Sequence, residues 1–200
     1  MPHPLPREFF LRPTEVVARD LLGCRLVRSG KGGRTAVRIV EVEAYLGSGD
    51  PACHTHRGRR TPRVEPMWGI GGLAYVYFTY GMHHCFNVVT REPGEPEAVL
   101  VRAGEPVEGV AAMAKRRPEG TKVERLAAGP ACLTAALAID RTLSGLDLTA
   151  GRFLWLEEGI AVPDGEVSRG ARIGVGYAGE AALWPLRFFL KGNRSVSKGG

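Results

Sequence analysis

The sequence predicts one mixed α+β domain, and three observations carry that expectation. Apolar runs with a two-residue period recur along the chain, helix-period stretches are few and short, and no repeat or linker divides the 200 residues. At 44% hydrophobic residues the chain can fill one sizeable core. No apolar run approaches the ~20 residues of a membrane span, and Met1-Pro-His-Pro-Leu-Pro lacks the basic-then-apolar order of a secretory signal. A cytoplasmic protein with no membrane partner is therefore expected.

The elements follow in order. Thr14 is placed to cap a short helix, with Val16, Val17, Leu21 and Leu22 on its apolar side and Gly23 as its stop. Residues 24–28 predict a strand, 29–33 a turn, and the run to Tyr45 a returning strand. Alternation would put Val37, Ile39, Glu41, Glu43 and Tyr45 on one face. The connection over 47–72 is long for a compact domain, which marks it as functional or disordered. Residues 73–80 and 85–90 predict a hairpin with Tyr80-Gly81-Met82 at its turn, and 97–103 a strand carrying Arg102. Helices are predicted over 106–114 and 130–139, the second opening with Gly129-Pro130. Short strands are expected over 153–156, 171–175 and 186–190, and a loose tail over 192–200.

A formal charge of +6 and a pI near 9.4 favour a polyanionic partner, although a merely basic surface has the same balance. Arginine far outnumbers lysine, which suits bidentate phosphate contact and equally follows from a GC-rich genome. Arg57, Arg59, Arg60 and Arg63 crowd the long connection. A solvated charge run is the bland explanation, and the position between two strands of interest favours phosphate contact. The four cysteines form no CxxC pair and are expected to be reduced, small hydrophobes.

Several chemistries are weighed and set aside. Cys53-His54-Thr-His56 and His83-His84-Cys85 are potential metal ligands, but neighbours on an extended chain point opposite ways. Gly174-Val-Gly-Tyr-Ala-Gly179 matches a dinucleotide fingerprint yet comes too late for the strand and acidic partner that fingerprint requires, so a packing turn is expected. The 69–72 segment leads into a strand, so it is no phosphate cradle. No lysine lies between Lys31 and Lys115 to form a Schiff base, and nothing around Pro2 supports its amine in that role. Neither metal nor cofactor is expected.

Glu43 is the sharpest feature. A carboxylate on a packing face either pairs with an arginine, for which Arg102 is suited, or serves as a general base. Glycosidic hydrolysis is the natural reaction for such a base. Tyr45, Tyr77 and His54 are core residues in the bland account and walls around a flipped purine in the functional one. Tyr80 beside Gly81 buries little at a hairpin tip, and suits an aromatic wedge for the minor groove.

These residues carry a family resemblance. Ile39-Val-Glu-Val-Glu-Ala-Tyr-Leu-Gly47, Gly58-Arg59-Arg60-Thr-Pro-Arg63, Tyr75-Val-Tyr-Phe-Thr-Tyr-Gly-Met82 and Ile173-Gly-Val-Gly-Tyr-Ala-Gly179 resemble the mammalian-type alkyladenine, or methylpurine, DNA glycosylases. The likeness runs from about residue 9 to 190, with further matches at 126–140 and 185–189. It implies a single domain around a curved antiparallel sheet with flanking helices and a protruding hairpin that enters double-stranded DNA. By resemblance, Glu43 is the base that activates water and Arg102 its partner. Tyr45, His54 and Tyr77 hold the flipped base, Tyr80 intercalates, Asn87 disfavours normal guanine, and Met67 lies near the hairpin. The resemblance further implies a monomer that removes alkylated, and in some members deaminated, purines in base excision repair without a cofactor. Two departures bear on substrate range: His83 and His84 stand where aromatic or apolar residues are expected, and the 91–97 link is acidic.

Overall fold

The computed structural model describes residues 3–30 and 32–197. Lys31 and Pro2 lie outside the described residues, as does the end of the expected tail, 198–200. The strands are β1 (Arg25–Gly30), β2 (Gly33–Tyr45), β3 (Ala74–Thr79), β4 (His83–Thr90), β5 (Glu97–Glu108), β6 (Leu154–Glu157), β7 (Val167–Gly170) and β8 (Arg187–Leu190). The α-helices are α1 (Arg7–Phe10), α2 (Thr14–Leu21), α3 (Val110–Ala114) and α4 (Pro130–Leu137).

All strands join one antiparallel sheet in the order β3-β4-β5-β2-β1-β6, with β7 and β8 on a side branch. The branch exists because β2 is long. Its first half, Gly33 to Arg38, pairs with β1, and Glu41 to Glu43 pair with β8. Against β5, Ile39 pairs with Gly104 and Glu41 with Ala103, so Val40 has no partner. That bulge bends β2 where it changes neighbours.

The bulge also changes which side chains face the core. Val37 and Ile39 enter the main cluster, and so do Val40, Val42 and Ala44. The alternation expected over 37–45 therefore breaks at Val40. Glu41, Glu43 and Tyr45 share a face, but not the face of Val37 and Ile39. The apolar face is covered by α2, which packs on β2 and β5, and by α4 on β4 and β5. The other face at the β2–β5–β4–β3 end lies under the 47–72 connection.

Other expectations change in detail. Residues 106–108 extend β5 and are not helical, because Glu108 still pairs with Ala36. Helix α3 starts only after Gly109, which turns at φ 70° where a Cβ would sit 2.4 Å from the Arg34 carbonyl. Residues 171–175 form no strand. β7 ends where Gly170 pairs with Arg187, and the chain then bends towards β2. Thr14 is the first residue of α2 and not its cap; its hydroxyl turns inward to Thr90 (2.6 Å) and Glu97 (2.5 Å). Val16 is exposed, whereas Val17, Ala18 and Leu21 are buried. The loose tail is also corrected for 192–197, since Ser195 and Ser197 are buried and the Ser197 N–H donates to Glu41 at 2.7 Å. No helix among the described residues is long and apolar enough to cross a membrane.

Candidate active site

The long connection is ordered, and Asp50 is the reason. Its carboxylate accepts from the N–H of Leu46 (3.0 Å) and of Ala52 (2.9 Å), closing a local turn. It also meets the Arg172 guanidinium, with one contact of 2.8 Å, and both side chains are wholly buried. Arg172 donates to the Ala44 carbonyl as well and lies over the Tyr45 ring at 4.8 Å. One buried ion pair thus joins the connection, the end of β2 and the segment after β7.

Between these pieces and the sheet lies a cavity of about 350 Å³, within the usual size of a small-molecule site. Tyr45, Met67, Tyr75, Tyr77, Asn87 and Arg102 line it from the sheet and connection, His54 from the wall, and Tyr80 from the rim. Ile173, Gly174, Val175 and Tyr177 line it too, so the glycine-rich segment expected to be only a packing turn is part of this wall. The aromatic positions hold one another. The His54 Nδ1 sits 2.9 Å from the Tyr75 hydroxyl, its ring meets Tyr77 edge-on at 4.7 Å, and Tyr75 tilts against Tyr77 at 5.4 Å. The Asn87 amide donates to the Tyr75 carbonyl at 3.0 Å, which fixes its orientation.

Glu43 sits behind this lining with no exposed surface. Its Oε1 accepts from the Ile173 N–H at 2.7 Å and lies 3.3 Å from Arg102 Nη1; its Oε2 accepts from the Tyr45 hydroxyl at 2.9 Å. A carboxylate has about four acceptor sites, so one on Oε2 is left over among the described residues. Burial pushes the Glu43 carboxyl above its ordinary 4.5, against the lowering effects of Arg102, the Ile173 N–H and the Tyr45 hydroxyl. Burial, helped by Arg63 and Arg59, pushes His54 down to about 4, so its ring is neutral near pH 7. Burial first, then the nearby Glu43 charge, pushes Tyr45 up, so its hydroxyl keeps its proton to donate.

At the rim, Met82 N donates to the Thr79 carbonyl, and Tyr80 and Gly81 take φ of 51° and 68° between them. That is a primed turn, the kind that suits the twist of a two-stranded hairpin. It leaves Tyr80 83% and Met82 70% exposed. Arg57, Arg59, Arg60 and Arg63 are all exposed. Arg60 is engaged by Glu65 and lies over Trp68, and Arg63 lies 5.1 Å from the Tyr77 centroid. Arg57 and Arg59 have no carboxylate partner among the described residues.

The two histidine–cysteine clusters do not converge: no three His, Cys, Asp or Glu side chains gather in metal-binding geometry among the described residues. His54 is bonded to Tyr75, and His84 lies against Phe78 at 5.0 Å. Contacts from remote parts of the chain escaped the sequence reading: Ile173, Arg172, Tyr177 and Ser197. Glu41 did carry a signal, since it shares the face of Glu43 in the Val-Glu-Val-Glu pattern.

A family model described as Methylpurine-DNA glycosylase (MPG) matches residues 8–194. Relatives named "Putative 3-methyladenine DNA glycosylase" occur in Methanocella arvoryzae, 50% identical over 97% of this chain and 96% of the relative. Another from Carboxydothermus hydrogenoformans is 51% identical over 97% and 98%, and one from Myxococcus xanthus is 49% identical over 98% and 94%. With the match running nearly end to end in both directions, the chain belongs to the methylpurine-DNA glycosylase family.

Proposed function

We propose that this chain hydrolyses the N-glycosidic bond of alkylated purines in duplex DNA, with Glu43 as general base. The observation that carries the reading is the buried Glu43 carboxylate, paired with Arg102 and with room on Oε2 for a further donor, directly behind an aromatic cavity. Arg57, Arg59, Arg60 and Arg63 meet phosphates in this scheme. Tyr80 enters the minor groove and fills the gap as the damaged nucleotide rotates out. Its exposure and its position on the rim support that role. The purine then lies against Tyr45, Tyr77 and His54, and the fixed Asn87 amide crowds the amino group of normal guanine.

A water on Oε2 gives its proton to Glu43 while its oxygen bonds to C1′. The C1′–N bond breaks with its electron pair leaving on the base. A cationic alkylated purine departs neutral, so no general acid is needed. Arg102 favours the ionised form of Glu43 and offsets part of the cost of burial. In this scheme the chain acts as a monomer.

The test is single-turnover base release from duplexes carrying 3-methyladenine, 7-methylguanine or hypoxanthine, with EDTA present throughout. Wild-type release, lost in Glu43→Gln with DNA binding retained, is expected. Equal release by both proteins would make Glu43 structural. The hypoxanthine duplex decides whether deaminated purines are also substrates.

A further inference from the structure

Two carboxylates stand two residues apart on the same face of β2, and their surroundings differ. Glu41 Oε1 accepts from Arg102 Nε (3.0 Å), Arg187 Nε (2.8 Å) and the Ser197 hydroxyl (2.9 Å), while its Oε2 accepts from the Ser197 N–H (2.7 Å). Three of these donors crowd Oε1 and one serves Oε2, so Glu41 holds four donors in all, against two hydrogen bonds and the longer Arg102 contact at Glu43. Glu41 is wholly buried and, like Glu43, is not among the residues that line the cavity. The two differ at Oε2: that of Glu43 accepts only from a cavity-lining side chain, Tyr45, and that of Glu41 from the Ser197 backbone, away from the cavity.

The arginine between them is held from its outer side. Arg102 gives Nε to Glu41, its Nη2 lies 3.4 Å from the Ser197 hydroxyl, and Nη1 is the nitrogen it presents to Glu43 at 3.3 Å. A guanidinium is a rigid plane, so fixing Nε and Nη2 fixes Nη1. The pair with Glu43 is longer than the bond with Glu41. Released from Glu41, Arg102 could turn to meet Glu43 with two nitrogens and occupy the acceptor that water needs.

We infer that Glu41, closed over by Ser197, is the positioning residue that holds Arg102 to a single, long contact with Glu43 and so leaves the Glu43 Oε2 free to accept from the attacking water. The inference rests on the reading of Glu43 as general base. Glu41 also acts through charge. Glu43 is faced by Arg102 from β5, Glu41 and Tyr45 from its own strand, Arg187 from β8, Tyr77 and Cys85 from the hairpin, and Arg172 beyond β7. Burial above all holds the proton affinity of Glu43 up, Arg102 lowers it, and the charge of Glu41 adds a smaller push upward. Removing Glu41 takes away a repulsion and frees an attraction, and both changes make Glu43 a weaker base.

The experiment is the pH profile of single-turnover 7-methylguanine release for wild type, Glu41→Gln, Ser197→Ala and Glu43→Gln, with thermal melting and duplex affinity measured alongside. For Glu41→Gln the plateau rate is expected to fall about tenfold or more, the acid limb to move to lower pH, and duplex affinity to stay within about twofold. Ser197→Ala removes one hydroxyl while keeping the backbone N–H, so it folds even where Glu41→Gln does not. It is expected to shift the limb in the same direction with a loss of about threefold. An unmoved acid limb in Ser197→Ala and in any folded Glu41→Gln would overturn the inference, whatever happens to melting, since a merely structural residue changes stability without retuning the base. If instead Glu43→Gln keeps the wild-type rate, the base assignment itself is wrong and the positioning role falls with it.

Discussion

The floor of the cavity and the tip of the hairpin are built on opposite physical terms. Under the floor, Glu43, Arg102 and Glu41 are buried and Tyr45 is half-buried, all held by partners from β2, β5 and the segment after β7. At the tip, Tyr80 and Met82 stand in solvent on the three-residue connection whose first two residues, Tyr80 and Gly81, have positive φ. Charge needs fixed partners once water is excluded, because a buried ion without them costs several kcal/mol. An apolar wedge needs the reverse, an exposed surface whose burial is postponed until DNA supplies it. The comparison predicts that changes at the floor alter rate or folding, and changes at the tip alter engagement with DNA alone.

The largest expected effect is at the floor. Glu43→Gln should lower the single-turnover release rate by about 10²–10⁴-fold with duplex affinity retained, measured by quenched-flow release and by titration of the same duplex. The pH profile sharpens the point. The rate on a cationic lesion should rise with pH through a midpoint above 4.5, because Glu43 must be ionised and burial raises its value. His54, already neutral above about 4, should add no limb near neutrality. The linkage to stability has the opposite sign. What Glu43 contributes to folding is fully present below the ordinary 4.5 and is lost as pH rises through the raised folded value.

Next comes the wall. Asp50→Ala leaves Arg172 buried without its partner, and chemical denaturation should show a loss of about 3–5 kcal/mol. Tyr80→Ala should lower release from a weakly bound lesion by about tenfold and leave the melting temperature unchanged, since the ring packs on nothing it would lose. An altered melting temperature would place Tyr80 in the fold and break the comparison. The smallest effect belongs to the exposed arginines. Arg57→Ala and Arg59→Ala should each reduce the slope of log affinity against log salt by about one, and Arg60→Ala by less because Glu65 already engages it.

Much of this site is local in the chain. The Val-Glu-Val-Glu-Ala-Tyr run, the paired tyrosines of β3 and the Tyr-Gly turn each lie within a few residues, so period and turn chemistry expose them. The errors were local too, but decided by distant partners. Residues 106–108 stay in β5 because Ala36 to Arg38 continue to pair with it, and 171–175 leave the sheet because Arg172 goes to Asp50 and Ile173 to Glu43.

The sequence by itself determined the composition of the site: which strand carries the carboxylates, which loop the arginines, and which turn the exposed tyrosine. Side-chain period and backbone preference act over a few residues, and a single chain displays them directly. Tertiary structure decided the state of each group. The unpaired Val40 turned Glu41, Glu43 and Tyr45 away from the core, and partners 130 and 156 residues away in sequence gave the two carboxylates different surroundings, Ile173 meeting Glu43 and Ser197 closing over Glu41. Register and long-range hydrogen bonding depend on how all eight strands meet, and no local window of the chain contains that.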